Sequence, residues 1–95
     1  MAERLTDEQI GEALEGSQWR RDGDSIVFDR KLDDFAAAMG YVNAVAELAE
    51  AVNHHPDILL HGWNNVRLTL WTHSAGGLTQ NDFDLARGID GLSAG

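Results

Sequence analysis

Three of the four histidines of this chain lie on two short segments and could act together on protons. His54 and His55 are adjacent and precede Pro56, and His73 follows eighteen positions after His55. Imidazole is the only side chain whose ordinary pKa lets it both take and give protons near neutral pH. Three imidazoles brought together would serve a reaction that consists only of proton transfers. The chain has no cysteine, and no P-loop motif suggests another chemistry.

A carboxylate is placed to orient one of these histidines. Glu50 lies four residues before His54 on a predicted helix, so the two side chains are expected to meet on one helix face. The carboxylate would orient the imidazole and favour its charged form, and the C-terminal end of the helix dipole would act in the same direction. We therefore expect His54 to be capable of general acid catalysis. The alternative is a histidine that only completes the last helical turn.

Four histidines within twenty residues also suggest a zinc site. Adjacent residues such as His54 and His55 generally point in different directions, and the chain has no Cys. The H-x-x-x-H and H-E-x-x-H spacings are absent as well. We therefore expect no metal and no cofactor. His61 lies in a predicted turn, where we expect a surface residue outside the site.

Composition limits the class of protein. The chain has 95 residues, 43% of them hydrophobic, and a formal net charge of -9. One globular domain over 1–95 is expected. Nucleic-acid binding is not expected, because phosphate contacts require clustered Lys and Arg. We find neither a signal peptide nor an apolar run of about 20 residues, so no membrane association is expected. Together with the absence of cysteine, this favours a cytoplasmic protein.

Local patterns predict seven elements in the order α-β-β-α-β-β-α. The expected class is α+β, with a four-stranded antiparallel sheet and three helices packed on one face. Capping residues, turn residues and hydrophobic spacing define the elements. They are a short helix capped by Thr6-x-x-Gln9 and ending at Gly16, a hairpin around Asp22-Gly23, a long helix from Asp33 or Asp34 to near Asn53, strands over 58–60 and 66–72, and a helix from Thr79 to about Gly91.

Two of these elements should carry an apolar face. On the long helix, residues at three- and four-residue steps form a stripe that we expect to be buried, with Gly40 permitting close packing. The stripe consists of Phe35, Ala38, Met39, Val42, Val45, Ala46, Ala49 and Val52. On the last strand, Val66, Leu68 and Leu70 should face the helices, and Arg67, Thr69, Trp71 and His73 should face away if the strand continues regularly.

The histidine segments also carry a family resemblance. Glu50-x-x-x-His54-His55-Pro56, an aromatic at Trp63, His73 ten residues later and Asp82 nine after that are similar to the signature of the pterin-4a-carbinolamine dehydratases. The likeness extends from about Leu5 to Ile89 and includes Thr72-His73-Ser74-Ala75-Gly76-Gly77-Leu78-Thr79.

The resemblance implies a fold, an activity and a set of roles. The activity is dehydration of 4a-hydroxytetrahydropterin to quinonoid dihydropterin and water, in recycling of a pterin cofactor. His54 and His73 would be the acid/base pair, with His55 binding and polarising the substrate. The other implied substrate-binding residues are Glu50, Pro56, Thr72, Ser74 and Ala75. A homodimer or homotetramer is also implied.

Two features depart from the best-known members of that family. Ile58 replaces a frequent aromatic residue, and the segment from Pro56 to Trp63 is one residue longer than in animal members. Both concern the wall of the pocket. Trp19 and Trp71 could stack on a flat pterin, although core or interface positions are more usual for strand aromatics. Trp63 is expected to pack structurally, and Trp71 to be covered by a partner subunit.

A non-catalytic binding module is the alternative to an enzyme. Animal relatives also serve as dimerisation cofactors of a homeodomain transcription factor, and some bacterial relatives resemble assembly factors for the carbon-fixing carboxylase. Those assembly proteins tend to lose the catalytic histidines. This chain retains His54, His55 and His73, which favours the dehydratase.

Overall fold

The computed structural model describes residues 3–92, which form three α-helices and a four-stranded sheet. The predicted order and the α+β class are confirmed. A 3-10 turn (His73–Ala75) lies between the last strand and the last helix. The elements are α1 (Asp7–Leu14), β1 (Arg20–Asp22), β2 (Ser25–Lys31), α2 (Phe35–Val52), β3 (Asp57–His61), β4 (Asn65–Leu70) and α3 (Gln80–Asp90).

The sheet is antiparallel throughout, with strand order β1-β2-β4-β3. Ile26 lies opposite Leu70 and Phe28 opposite Leu68. These four side chains are buried against the helices, so one face of the sheet is covered and the other is open. β3 is an edge strand. Within residues 3–92 no helix is long and apolar enough to cross a membrane.

Side-chain caps begin the three helices where the sequence predicts them. Thr6 forms a capping box with Gln9 at α1. The Asp34 carboxylate accepts a hydrogen bond of 2.7 Å from the Ala37 N–H at α2. Thr79 forms a second capping box at α3. Each cap satisfies backbone donors that have no partner inside the helix, which explains why these boundaries could be predicted.

The buried face of α2 differs from the predicted stripe. Tyr41 is buried although the stripe omits it, whereas Phe35, Met39 and Val52 are 54%, 40% and 60% exposed. Phe35 and Met39 lie on one flank of the helix. Met39, for example, is rotated by about 100° around the helix axis from the buried Ala38. The core contacts the other flank, which carries Tyr41. Val52 is the last residue of α2. The predicted stripe is therefore confirmed at Ala38, Val45 and Ala49, which are buried, and wrong at Phe35, Met39 and Val52.

β4 ends earlier than predicted. The strand stops at Leu70, and the chain then closes a small loop in which the Thr72 N–H donates to the Gly77 carbonyl at 3.0 Å. His73 begins the 3-10 turn inside that loop. Its exposed position therefore results from the loop and not from a continued strand.

Gly40 does not serve close packing. It is exposed in the middle of α2, and a Cβ added there would meet no atom within 4 Å. Gly23, in the β1–β2 turn, also has open space but a φ of +60°. Glycine costs backbone entropy in a helix interior, whereas a positive φ is the conformation that glycine alone adopts readily.

Gly40→Ala should therefore raise the free energy of unfolding by about 0.5–1 kcal/mol. Gly23→Ala, the matched control, should lower it, because alanine is strained at positive φ. Urea unfolding at one fixed protein concentration measures both changes. A loss of stability in Gly40→Ala would show that this position is packed against a group absent from the isolated chain.

Candidate functional site

The end of α2 determines where the first two histidines lie. Asn53 caps the helix in the left-handed conformation, with φ 52° and ψ 44°. The His54 N–H still donates to the Ala49 carbonyl at 3.1 Å. Pro56 disfavours helical geometry at His55, so the chain leaves in an extended direction. The helix ends just before His54, as predicted.

The His54 ring is held by a buried carboxylate on α3. His54 Nε2 lies 2.6 Å from Asp82 Oδ1, and the Asp82 side chain is fully buried. The other carboxylate oxygen, Oδ2, accepts from the Thr72 hydroxyl at 2.8 Å and from the Thr79 N–H at 2.9 Å. The two threonine hydroxyls are themselves 2.8 Å apart. Asp82 therefore joins α2, the end of β4 and the start of α3.

Glu50 does not orient His54, which corrects the expectation from the sequence. It lies 2.5 Å from Nε2 of His55 instead, as an exposed pair. The reason is the left-handed residue Asn53, which turns the chain so that His54 no longer follows Glu50 by one helical turn. Both adjacent histidines therefore have a carboxylate partner at Nε2, one buried and one exposed.

His73 differs from the other two histidines. Its ring centroid lies 3.9 Å from that of Trp71 at an interplanar angle of 34°. No side-chain hydrogen bond to this ring is present within residues 3–92. The ring is thus placed by packing against an aromatic side chain, and both of its nitrogens are open to solvent or to a bound molecule.

These side chains line one open cleft of about 440 Å³ at the end of the β3–β4 hairpin. The lining comprises residues from the end of α2, the start of β3 and the 72–77 loop. They are Asn53, His54, His55, Pro56, Asp57, Trp71, Thr72, His73 and Ser74. The structure thus places the three histidines, Pro56, Thr72 and Ser74 together.

Several residues considered from the sequence lie elsewhere. Ala75 is outside the cleft, and Glu50 reaches it only through His55. Trp19 is buried, stacks on Phe28 at 5.4 Å and donates to Asp90, so it is a core residue and not a ring platform. His61 lines a separate cavity. No group of three or more His, Cys, Asp or Glu that could hold a metal ion occurs in the described part of the chain.

Asp82 is the residue whose role the sequence did not reveal. The sequence places it in the family signature without a function. The Thr79-x-x-Asp82 spacing is a capping box, which engages only one carboxylate oxygen. The second carboxylate oxygen could have indicated the role of Asp82, because a buried carboxylate needs hydrogen-bond partners for both oxygens.

The fold and the cleft define an α+β protein with a histidine-lined site suited to proton transfer. The family described as pterin 4 alpha carbinolamine dehydratase matches residues 3–92. A Nocardia farcinica protein with the provisional name pterin-4-alpha-carbinolamine dehydratase is 51% identical over 92 residues, 96% of each chain. A Cyanothece protein with the same provisional name is 48% identical over 94 residues, 98% of this chain and 96% of that one. The chain belongs to the pterin-4a-carbinolamine dehydratase family.

Solved structures agree with this assignment. The crystal structure of a transcriptional coactivator/pterin dehydratase from Brucella melitensis has a TM-score of 0.86 and 34% identity, covering 92% of this chain and 95% of that chain. A pterin dehydratase-like protein identified as a RuBisCO assembly factor in the alpha-carboxysome has a TM-score of 0.65 and 24% identity, covering 80% of this chain and 93% of that one. The second similarity concerns the fold alone.

Asp82→Asn should reverse the tautomer of His54. The Thr79 N–H can only donate, so the amide oxygen must take the place of Oδ2, and the amide NH₂ then faces His54 Nε2. The ring must accept there and carry its proton on Nδ1. The ¹⁵N shifts of the imidazole nitrogens report this change. The exposed neighbour variant Asp84→Asn should leave the tautomer as it is, and a folded Asp82→Asn protein that keeps its proton on Nε2 would contradict the network.

Proposed function

We propose that this chain dehydrates a 4a-hydroxytetrahydropterin to the quinonoid dihydropterin and water by histidine acid/base catalysis. Family membership supports the substrate class. The observation that carries the mechanism is that imidazoles from two separate segments line one cleft, close to a buried orienting carboxylate. The cleft volume of about 440 Å³ lies within the range of small-molecule sites. A cytoplasmic location, expected from the composition, is part of the same proposal.

The reaction needs one proton delivered and one removed. The C4a–O bond breaks as the hydroxyl takes a proton and leaves as water. The ring nitrogen N5 loses its proton, and a C4a=N5 double bond forms. No electron acceptor or donor is required, because the reaction is an elimination. Two positioned imidazoles therefore suffice.

The geometry favours different parts for His54 and His73. With Nε2–H donated to Asp82, the neutral His54 ring presents a lone pair at Nδ1, as a base must. We assign it the N5 proton. His73, whose ring has both nitrogens available, would deliver the proton to the leaving hydroxyl. This assignment makes His54 a base, whereas the sequence had suggested an acid.

His55 and its neighbours would bind the substrate. The exposed Glu50 carboxylate fixes the His55 ring through Nε2, so that its other nitrogen can contact the polar edge of a pterin. Pro56 and Ser74 line the cleft. Trp71 offers an aromatic surface beside His73. Thr72 would act through Asp82, because its hydroxyl is already engaged.

A direct dehydration assay with synthetic 4a-hydroxytetrahydropterin tests this proposal. His54→Ala and His73→Ala should each lower kcat by about 100-fold or more, the usual scale for a positioned proton-transfer group. His55→Ala should act mainly on KM, because the role assigned to it is binding. His61→Ala is the matched control and should leave turnover unchanged. Prolonged chelation and dialysis should not reduce the activity of the unmodified protein.

A double variant separates a shared transition state from independent effects. His54→Ala/His73→Ala should be less impaired than the product of the single effects, since both groups act in one step. Circular dichroism checks that each variant is folded. If both single variants keep full kcat, the proposal of an enzyme is rejected and the chain is a non-catalytic binding module. If the protein contains stoichiometric zinc and loses its activity when the zinc is removed, the metal-free mechanism is wrong.

We also propose that the chain forms a homo-oligomer. The sequence had located the covered surface at Trp71, but that side chain is half-buried in the cleft. The exposed apolar groups lie elsewhere, on the edge strand β3, on α2 and at the β3–β4 turn. They are Ile58, Leu59, Phe35, Met39, Val52 and Trp63, all at least 37% exposed. An edge strand with apolar side chains favours pairing with another chain.

Light scattering should therefore give a mass of at least twice the 10.4 kDa protomer. Leu59→Lys should shift the mass distribution toward the protomer, because a charged side chain on an edge strand opposes pairing. Thr69→Lys, on the neighbouring interior strand β4, is the control for added charge. Detection of the protomer alone at micromolar concentration would contradict the proposal.

A further inference from the structure

A second cavity lies on the open face of the sheet, away from the histidine cleft. It has a volume of about 330 Å³, and its lining consists of Asp29, Arg30, Lys31, His61, Asn65, Val66 and Arg67. His61, the fourth histidine, is among them. None of these residues lines the histidine cleft, so the proposed dehydration does not use the cavity.

Strand register explains its shape. Ile26 and Phe28 face the helices, so Asp29 and Lys31 project from the open face, because side chains alternate along a strand. Asp29 lies opposite Arg67, and Lys31 lies opposite Asn65. On the other side of β4, Asn65 lies opposite His61.

Two cross-strand rows therefore form the walls of a trough. One row contains Asp29 and Arg67, and the other contains Lys31, Asn65 and His61. The backbone between the rows forms the floor. With strands about 4.8 Å apart, the wall from Lys31 to His61 is about 10 Å long between Cα atoms. The cavity volume of about 330 Å³ leaves room for a small ligand beside it.

The charge of the trough is opposite to that of the chain. Asp29 receives hydrogen bonds from Arg67 at 2.7 and 3.2 Å and lies 3.0 Å from Arg20. The Arg67 hydrogen bonds keep the pKa of the Asp29 carboxyl below its ordinary value. Two guanidinium groups thus surround one carboxylate, and Lys31 makes no ion pair within residues 3–92.

The two walls of the trough therefore carry two cations, Lys31 and Arg67, against one carboxylate, Asp29, an excess of one positive charge in a chain of net charge -9. Screening acts over about 8 Å at physiological ionic strength, so a ligand in the trough interacts mainly with these nearby groups. Arg67 uses Nε and Nη2 on Asp29, which leaves the Nη1 N–H groups for another acceptor.

We propose that this trough binds a tetrahedral phosphate group. Lys31 Nζ and Arg67 Nη1 donate charge-assisted hydrogen bonds to the phosphate oxygens, and the side chains of Asn65 and His61 complete the site. The group could be free phosphate, a phosphate ester of a small metabolite or a lipid headgroup. The three share the chemistry that these residues recognise.

Titration of the full ¹⁵N-labelled chain with inorganic phosphate, at ionic strength held constant with sodium chloride, tests the site. Backbone NMR shifts should saturate at Lys31, His61, Asn65 and Arg67. Lys31→Gln should weaken binding about tenfold, the usual scale for loss of a charge-assisted hydrogen bond. Arg87→Gln, on α3, changes the net charge equally and should leave the affinity unchanged.

Two further ligands identify the source of the phosphate. Glycerol 3-phosphate binding more tightly than inorganic phosphate indicates a small metabolite, and cosedimentation with vesicles containing phosphatidic acid indicates a lipid. Equal affinity for all three supports recognition of the phosphate group alone. Shifts that do not saturate, or equal weakening by Lys31→Gln and Arg87→Gln, would overturn the site, since either result reflects only the overall charge.

Discussion

The carboxylate of Asp82 is the group on which the rest of the structure depends. One oxygen contacts His54 at the end of α2, and the other accepts hydrogen bonds from Thr72 and Thr79. These bonds lie in the interior, where hydrogen bonds are electrostatically stronger than in water and an unpaired polar group is costly. The segment that carries His73 begins at Thr72, so one side chain fixes the spacing between the two histidine segments. The same side chain also caps α3.

Much of the fold could be predicted from the sequence because its signals are local. The capping boxes, the turn glycines and Pro56 act within a few residues, and they placed the elements in the correct order. The buried face of α2 was less predictable, because both flanks of that helix carry apolar residues. Packing against the sheet selects the flank with Tyr41, which spacing alone could not decide.

In the candidate site, too, features set by neighbouring residues could be predicted, and contacts between distant residues could not. The spacing of His54, His55 and His73 indicated proton chemistry, and the structure places all three at one cleft. The partner of His54 was assigned to Glu50 because four-residue spacing on a helix is a local rule. The left-handed conformation of Asn53 breaks that rule. The actual partner, Asp82, is 28 residues away, and only the packing of α3 against α2 brings it close.

The buried pair also affects how the histidines can vary during evolution. Replacement of His54 leaves Asp82 Oδ1 without its partner in the interior, at a cost of about 1–3 kcal/mol, a large part of the 5–15 kcal/mol that holds a typical domain folded. Loss of His54 therefore carries a cost in folding stability that is separate from any effect on catalysis. His55 and His73 are exposed and carry no such penalty, so they are free to drift. A substitution at residue 54 therefore disturbs the interior, whereas a substitution at residue 73 changes only an exposed side chain.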